Sequence, residues 1–552
     1  MQLVLGALSL AYTKLLLDRS MSVVDPDTVI LIVQKIVKFI LFLLSCLLTP
    51  FLMLQGLRKR NKLPLIKSRL LLLSASEIAR KIRRQEVSSE EVVRAYIERC
   101  NDVNRSLNAI VESRFDAAVQ EARNVDKFLA VVARTEEQLA RDLPLLGVPV
   151  TVKESIAVEG MSNAVGVKKR KSLKANRNAQ VVDMIREAGA IILLVSNTPE
   201  LCLFWESNNK TTGPTWNPYD TTRVSGGSSG GEAALLGSAA SCLSLASDIA
   251  GSARLPAMFC GVFGHKPTAC LVPCRGHRPD SNDTNWPQYF TIGTMVRYAE
   301  DLPLVMKIIS KPEESRCRFD QKVSPRNMKF YYLDDCCGMT NSIDDDMKQA
   351  IQRLRMHIET AYGLKVQKAQ FSQMKFAFEI GAYLLLHLEV DGVNQDVTCA
   401  GSSKALLELL KCIFHASSYS LPVIAYSLLK WIFSKFPQSV RDAMAEKRIS
   451  LKREFEELLG DDGVLIFPSF ASASHYQYQA YAKVADFTYM MIYNVLGLPV
   501  TQCPMGLNKR GLPVGIQIVA NAGNDHLTIA VAREIERVFG GWQQPPANES
   551  QV

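Results

Sequence analysis

The chain has 552 residues, of which 47% are hydrophobic and 22% charged, and its 64 Lys and Arg against 55 Asp and Glu leave a net charge of +9. This length buries a large core, in one large α/β domain or in several smaller ones, and the composition excludes a mainly disordered chain. The charge excess is small for the length. The basic runs Arg58 to Lys62 and Lys168 to Lys171 lack the interleaved aromatics of a nucleic-acid face, so no nucleic-acid partner is expected.

Basic residues beside apolar segments point instead to an anionic membrane surface. The 13 cysteines are odd in number and give no Cys-x-x-Cys pair, which reads as reduced thiols in an intracellular protein. The 7 histidines include no His-x-x-x-His pair, so neither a metal nor a cofactor is expected. Glycosylation-type triplets begin at Asn104, Asn209, Asn282 and Asn548, but such triplets arise often by chance and do not orient the chain.

Residues 1–28 are an apolar N-terminal extension. Its Met1 to Leu17 stretch has no charged n-region and no clear cleavage site, and makes a poor signal peptide. Residues 29–54 read as a transmembrane anchor, with Asp27 or Thr28 as cap and only Lys38, Ser45, Thr49 and Pro50 interrupting Ile36 to Leu54. A bilayer core takes about 20 apolar residues in a helix, and length favours spanning. The alternative is an interfacial helix, since Lys35 and Lys38 lie at one end and Pro50 can break the other. In the basic linker 55–70, Arg58, Lys59, Arg60 and Lys62 outnumber Lys35 and Lys38, which by the positive-inside rule leaves the bulk of the chain in the cytoplasm.

From Ser74 the pattern becomes that of an α/β domain. Ser88-Ser89-Glu90-Glu91 is a capping box opening a helix with Val92, Val93, Tyr96 and Ile97 on one face. Leu146 to Val152 is a short β-branched run ending at Lys153, whose side chain would share a face with Thr151. Ala179 to Ala188 reads as a helix stopped by Gly189, followed by a buried strand, Ala190 to Val195. Residues 405–437 hold two apolar pieces divided by Pro422, each too short to span a bilayer; they are either core helices or a pair dipping into one leaflet. Strand-like Leu498 to Thr501 and Gly515 to Val519, then a helix over Leu527 to Phe539, complete a sheet covered on both faces.

The most informative stretch is Ser225 to Pro267. A Gly/Ser-rich run presents Ser228 and Ser229, small apolar residues follow, and a second Gly-Ser step comes at Gly251 and Ser252. Glycine permits sharp bends and close approach, a frame suited to a nucleophile with N–H donors aimed at its substrate. A flexible linker would continue polar, whereas Ala233 to Leu236 and Leu243 to Ala246 are apolar. A serine hydroxyl needs a base. Histidine is usual, but a buried lysine serves if its pKa falls from about 10.4 to near neutrality, a shift worth roughly 4 kcal/mol. Lys153 is a candidate; its competing reading is a solvent-facing lysine paired with Glu154.

Gly226-Gly227-Ser228-Ser229-Gly230-Gly231-Glu232, followed by Asp248-Ile249-Ala250-Gly251-Ser252-Ala253-Arg254-Leu255-Pro256-Ala257, resembles the central motif of the amidase signature family. Gly147-Val148-Pro149-Val150-Thr151-Val152-Lys153-Glu154 resembles the strand that carries its lysine. The resemblance covers Leu71 to Trp542, making 71–542 the catalytic domain and 543–552 a tail. Within the family, the N-terminal anchor, Gly264-His265-Lys266-Pro267 and Gly497-Leu498-Pro499-Val500-Thr501-Gln502-Cys503-Pro504 are most similar to the branch that hydrolyses fatty acid amides.

The resemblance implies an α/β/α amidase signature fold, with a mixed central sheet covered by helices, joined to an N-terminal transmembrane helix. It also implies a membrane-bound serine amidase. Ser252 would be the nucleophile, Ser228 the proton shuttle behind a cis Gly227-Ser228 peptide, and Lys153 the base. The backbone N–H groups of Ile249, Ala250, Gly251 and Ser252 would form the oxyanion hole, and Cys202 and Leu203, with Ser228, would contact substrate. Residues 405–437 would be a membrane-binding cap admitting lipid amides from the bilayer, at the endoplasmic reticulum or lipid droplets, with a homodimer left open.

One position departs from the pattern: Ala250 stands where the family usually has Gly, which strains the hole if φ must be positive there and is harmless if it is negative. Two rival readings follow. Gly226-Gly227-Ser228-Ser229-Gly230 also fits the Gly-x-Ser-x-Gly elbow of a Ser-His-Asp esterase or lipase, with His526 as base. Alternatively, Ala250 has left a lipid-binding pseudoenzyme.

Overall fold

The computed structural model describes residues 26–57, 60–311, 319–336, 338–390 and 401–547. The Met1 to Leu17 stretch, Arg58, Lys59, Asn548 and half of the expected tail lie outside the described residues. Among the described residues, short apolar runs form β1 (Ile110–Ser113), β2 (Pro149–Lys153), β3 (Ile191–Ser196), β4 (Asn208–Asn209), β5 (Gly213–Pro214), β6 (Leu243–Asp248) and β7 (Phe263–Lys266). They continue with β8 (Thr291–Val296), β9 (Lys329–Tyr332), β10 (Val366–Lys368), β11 (Gly463–Pro468), β12 (Val500–Leu507) and β13 (Pro513–Ala520). All but β4 and β5 join one sheet of 11 strands in the order β1-β3-β2-β6-β8-β7-β12-β13-β11-β9-β10.

The sheet is mixed. β2 runs parallel to β3 and β6, and β9 parallel to β10 and β11; the remaining neighbours are antiparallel. In β2, β3, β6, β8, β11 and β13 every residue is buried. Helices therefore cover both faces, and the strands read as continuous apolar runs instead of alternating ones. The register Thr151↔Ser244 and Val152↔Leu245 fixes the end of β2 against the end of β6.

Local chemistry sets the helix ends. The Ser88 hydroxyl accepts the Glu91 N–H at 3.1 Å, starting Ser89–Leu107 with the forward half of the expected box. The reciprocal box forms earlier, between Ser74 and Glu77. Gln180–Glu187 ends at Gly189, whose φ of +95° puts the chain where glycine is favoured. The 405–437 stretch becomes the helices Gly401–Ile413 and Leu421–Phe433, with Leu406, Leu407, Leu410, Phe414 and Trp431 exposed.

Pro26–Met53 is a single helix with Pro50 inside it, and Asp27–Leu57 is long and apolar enough to cross a membrane by length and composition. Its apolar side chains Phe39, Phe42, Leu47 and Phe51 are exposed, yet the helix also touches the rest of the chain. Asp27 pairs with Lys447 at 2.8 Å, Gln34 Nε2 donates to Glu379 Oε2 at 2.9 Å, and Lys38 Nζ donates to the Thr340 carbonyl at 2.8 Å.

Candidate active site

β2 delivers Lys153 to the interior. Its side chain is fully buried, and Nζ lies 2.7 Å from Ser228 Oγ and 3.0 Å from Ser247 Oγ. No ion pair with Glu154 forms among the described residues: that carboxylate turns away to accept from the Ser162 hydroxyl at 2.6 Å and the Gly166 N–H at 3.2 Å. Burial lowers the Lys153 pKa, against the opposing pull of Cys202, Asp248 and Glu232. Glu232 is itself pushed up to about 7 by burial, and accepts a short hydrogen bond from Thr151 Oγ1. A neutral amine is thus attainable in a pocket whose nearest carboxylates are partly or fully compensated.

The Gly/Ser run turns into the buried helix Gly230–Gly237, and Ser228 follows a cis Gly227-Ser228 peptide. Gly227 packs so closely that a Cβ there would stand 2.8 Å from the backbone nitrogen of Glu206. Ser252 comes from the turn between β6 and the helix Arg254–Phe259. The Ser229 N–H donates to the Ser252 carbonyl at 3.2 Å, which ties the two serine segments together. Lys153 and Ser228 are therefore in contact, whereas no hydrogen bond joins Ser228 Oγ to Ser252 Oγ among the described residues. Catalytic hydrogen bonds of this kind commonly tighten only when substrate is bound.

The turn after β6 is braced by one carboxylate. Asp248 accepts the N–H of Gly251 at 2.8 Å and of Ala253 at 3.1 Å, Nε and Nη2 of Arg254 at 3.0 Å each, and Nδ2 of Asn494 at 2.9 Å. Burial would raise its pKa, but Arg254 and Asn494 outweigh that and hold it well below the usual carboxylate range. The Gly251 N–H is consequently committed to Asp248. Of the expected oxyanion donors, Ile249, Ala250 and Ser252 have N–H groups without an acceptor among the described residues.

Positive φ falls on Gly251, at +97°, and not on Ala250. The Ala250 carbonyl accepts the Trp205 indole N–H at 3.0 Å, and Trp205 is stacked at 3.6 Å on Phe487. Alanine therefore imposes no left-handed strain at this position, and the premise of the pseudoenzyme reading is removed.

Cys202, at φ +57°, brings its thiol near enough to Lys153 to act on that amine's charge, and Leu203 is half-buried beside it. His526 sits at the start of the helix Asp525–Phe539, lining a surface cavity with Glu300, Arg533 and Glu534. No hydrogen bond joins His526 to Ser228 or Ser252 among the described residues, whereas Lys153 meets Ser228 directly. Sequence reasoning missed Ser247, His277, Trp205 and Asn494. Asn494 left a trace, as the lone amide in the apolar helix Thr488–Leu496. His277 left none.

A family model described as Amidase matches residues 91–529. The chain is 39% identical to Fatty-acid amide hydrolase 2-B of Danio rerio over 504 residues, covering 89% of this chain and 94% of that one. It is 38% identical to Fatty-acid amide hydrolase 2 of Homo sapiens over 515 residues, covering 91% and 96%. A solved structure of Fatty acid amide hydrolase superposes with a TM-score of 0.69 at 19% identity, covering 85% of this chain and 86% of the other. The family model spans most of the chain and the relatives match along nearly their whole length, and together they lead to one conclusion: the chain belongs to the amidase family and is a carbon–nitrogen hydrolase.

Proposed function

We propose that the chain is a membrane-bound hydrolase of fatty acid amides, N-acylethanolamines and primary amides among them, working through Lys153, Ser228 and Ser252. The observation that carries this reading is the 2.7 Å contact between a fully buried Lys153 amine and Ser228. The long-coverage likeness to proteins named fatty-acid amide hydrolase 2 supports the substrate class. Neutral Lys153 takes the Ser228 proton while Ser228 takes that of Ser252, and Ser252 Oγ attacks the amide carbon. The carbonyl oxygen gains the negative charge and is held by the N–H groups of Ile249, Ala250 and Ser252. The relay returns its proton to the departing nitrogen, which leaves as an amine, because an amide anion is too poor a leaving group. Water then attacks the acyl-Ser252 ester and releases the fatty acid. Cys202 and Leu203 would line the acyl entrance.

A fluorophosphonate probe followed by mass spectrometry tests the assignment. Label is expected on Ser252, with amide turnover abolished in Lys153→Ala and retained in His526→Ala. Label on Ser228, or turnover that survives Lys153→Ala, overturns the triad.

For membrane attachment, the exposed apolar side chains of Pro26–Met53 and of the 405–437 helices support a lipid-facing surface, with 71–542 as the catalytic domain on an intracellular membrane. The contacts of Asp27, Gln34 and Lys38 with the catalytic body favour a second reading, in which the helix lies along the membrane plane instead of crossing it. Protease protection of N-terminal tags in sealed vesicles separates the two: a spanning helix shields one end, and an in-plane helix leaves both ends on one side.

A further inference from the structure

His277 takes no part in the chemistry above, yet it is buried against it. Its Nδ1 lies 2.8 Å from the Pro279 carbonyl and its Nε2 lies 3.1 Å from Ser247 Oγ. A carbonyl oxygen only accepts, so Nδ1 must carry the ring proton. Burial and the nearby Lys153 charge lower the His277 pKa to about 3, so the ring is neutral and Nε2 presents a lone pair. The remaining neighbours, the Phe290 ring with its centroid at 4.5 Å and the Pro279 carbonyl, are uncharged.

Ser247 has a single hydrogen, and Nε2 accepts it. Its oxygen lies 3.0 Å from Lys153 Nζ and so accepts an N–H from the amine. A neutral amine has two hydrogens and one lone pair. With Ser247 restricted to accepting, the lone pair is left to receive the proton of Ser228 at 2.7 Å. If the Ser247 hydroxyl were free to rotate, it could donate into that lone pair and compete with Ser228.

We infer that His277 is a positioning residue that aims the Lys153 lone pair: by accepting the Ser247 proton it prevents Ser247 from capping the base, and reserves the base for Ser228. The inference rests on Lys153 being the base. The other groups acting on Lys153 are the Cys202 thiol and the Asp248 and Glu232 carboxyls, and none of them is a hydrogen-bond partner of the His277 ring.

The test uses the full chain in detergent and a long-chain acyl p-nitroanilide. His277→Phe keeps a ring against Phe290 but has neither donor nor acceptor. We expect kcat to fall about tenfold or more, with KM within about twofold. Its acid limb should move to lower pH, because a Ser247 hydroxyl donating to the amine favours the neutral lysine. His277→Gln, whose amide offers both a donating NH2 and an accepting oxygen, should recover most of the loss. In a Ser247→Ala background the competing hydroxyl is gone, and adding His277→Phe should change little further. Wild-type kcat and pH profile in His277→Phe refute the inference. So does an acid limb displaced to higher pH, the sign of water entering the pocket, or an equal loss in the Ser247→Ala background. If Lys153→Ala remains active the triad itself falls, an outcome distinct from an inactive Lys153→Ala beside a normal His277→Phe.

Discussion

Replacing Asp248 by Asn tests whether the turn bearing Ser252 is held electrostatically. The carboxylate faces five donor contacts, from Gly251, Ala253, Asn494 and two nitrogens of Arg254, and both members of the ion pair are wholly buried. Asparagine keeps the shape and one oxygen but removes the charge and turns an amide toward a cation. Breaking a buried ion pair from one side costs about 3 to 5 kcal/mol. Asn494→Ala, by contrast, leaves the pair intact and removes hydrogen bonds worth about 1 to 3 kcal/mol. Asp248→Asn should therefore lower the unfolding midpoint, followed by scanning fluorimetry in detergent, clearly more than Asn494→Ala. Coupling it with Arg254→Met should recover part of the loss, since no orphaned charge remains. Because the Asp248 pKa is depressed on folding, its stabilisation is present above the ordinary carboxylate range and is lost as pH falls through the lowered value. Asp248→Asn should flatten that acid-side loss. A single Asp248→Asn no worse than Asn494→Ala refutes the reasoning.

Gly251→Ala should nearly abolish turnover, because its Cβ would stand 2.5 Å from Met490 Sδ at a φ of +97°, whereas Ala250→Gly should leave kcat within about threefold; steady-state rates read both. Since burial lowers the Lys153 pKa, amide turnover should rise with pH to a plateau whose midpoint lies below the ordinary lysine value, and a midpoint at or above that value would contradict a buried neutral base. The folded His277 pKa of about 3 lies under its unfolded value, so the wild type should lose stability as pH falls below about 6.5, and His277→Gln should lose less. Charged substitutions at Phe414 and Trp431, both exposed, should weaken flotation with liposomes without lowering turnover of a soluble short-chain amide.

The strands at Leu146 to Val152 and Ala190 to Val195 were legible because fully buried strands leave uninterrupted β-branched runs, and the structure shifts their ends by only a few residues. Ser228 and Ser252 stood out because glycines and hydroxyls cluster around them, and Lys153 because it ends an apolar, β-branched run; the roles proposed for them came from the family resemblance. The bracing was not legible. Asp248 is one acidic residue in a motif, and only the folded chain shows it taking the Gly251 N–H out of the expected oxyanion hole. His277 comes from a loop without periodicity and reaches Lys153 through Ser247, a geometry that no spacing along the chain encodes. The Pro26–Met53 helix illustrates a different limit: hydropathy reports how apolar a helix is, but not that Gln34 and Lys38 would find partners on the domain that follows.

The parallel register of β2 with β6 makes the sheet a ruler for the distances within the proposed triad. Lys153 closes β2, Ser247 lies near the end of β6, and the Ser252 turn follows directly. A slip of one residue would carry Lys153 to the opposite face of the sheet, away from both hydroxyls. Packing faults at Val150 or Val152, both wholly buried, should therefore surface first as altered proton transfer and only later as unfolding.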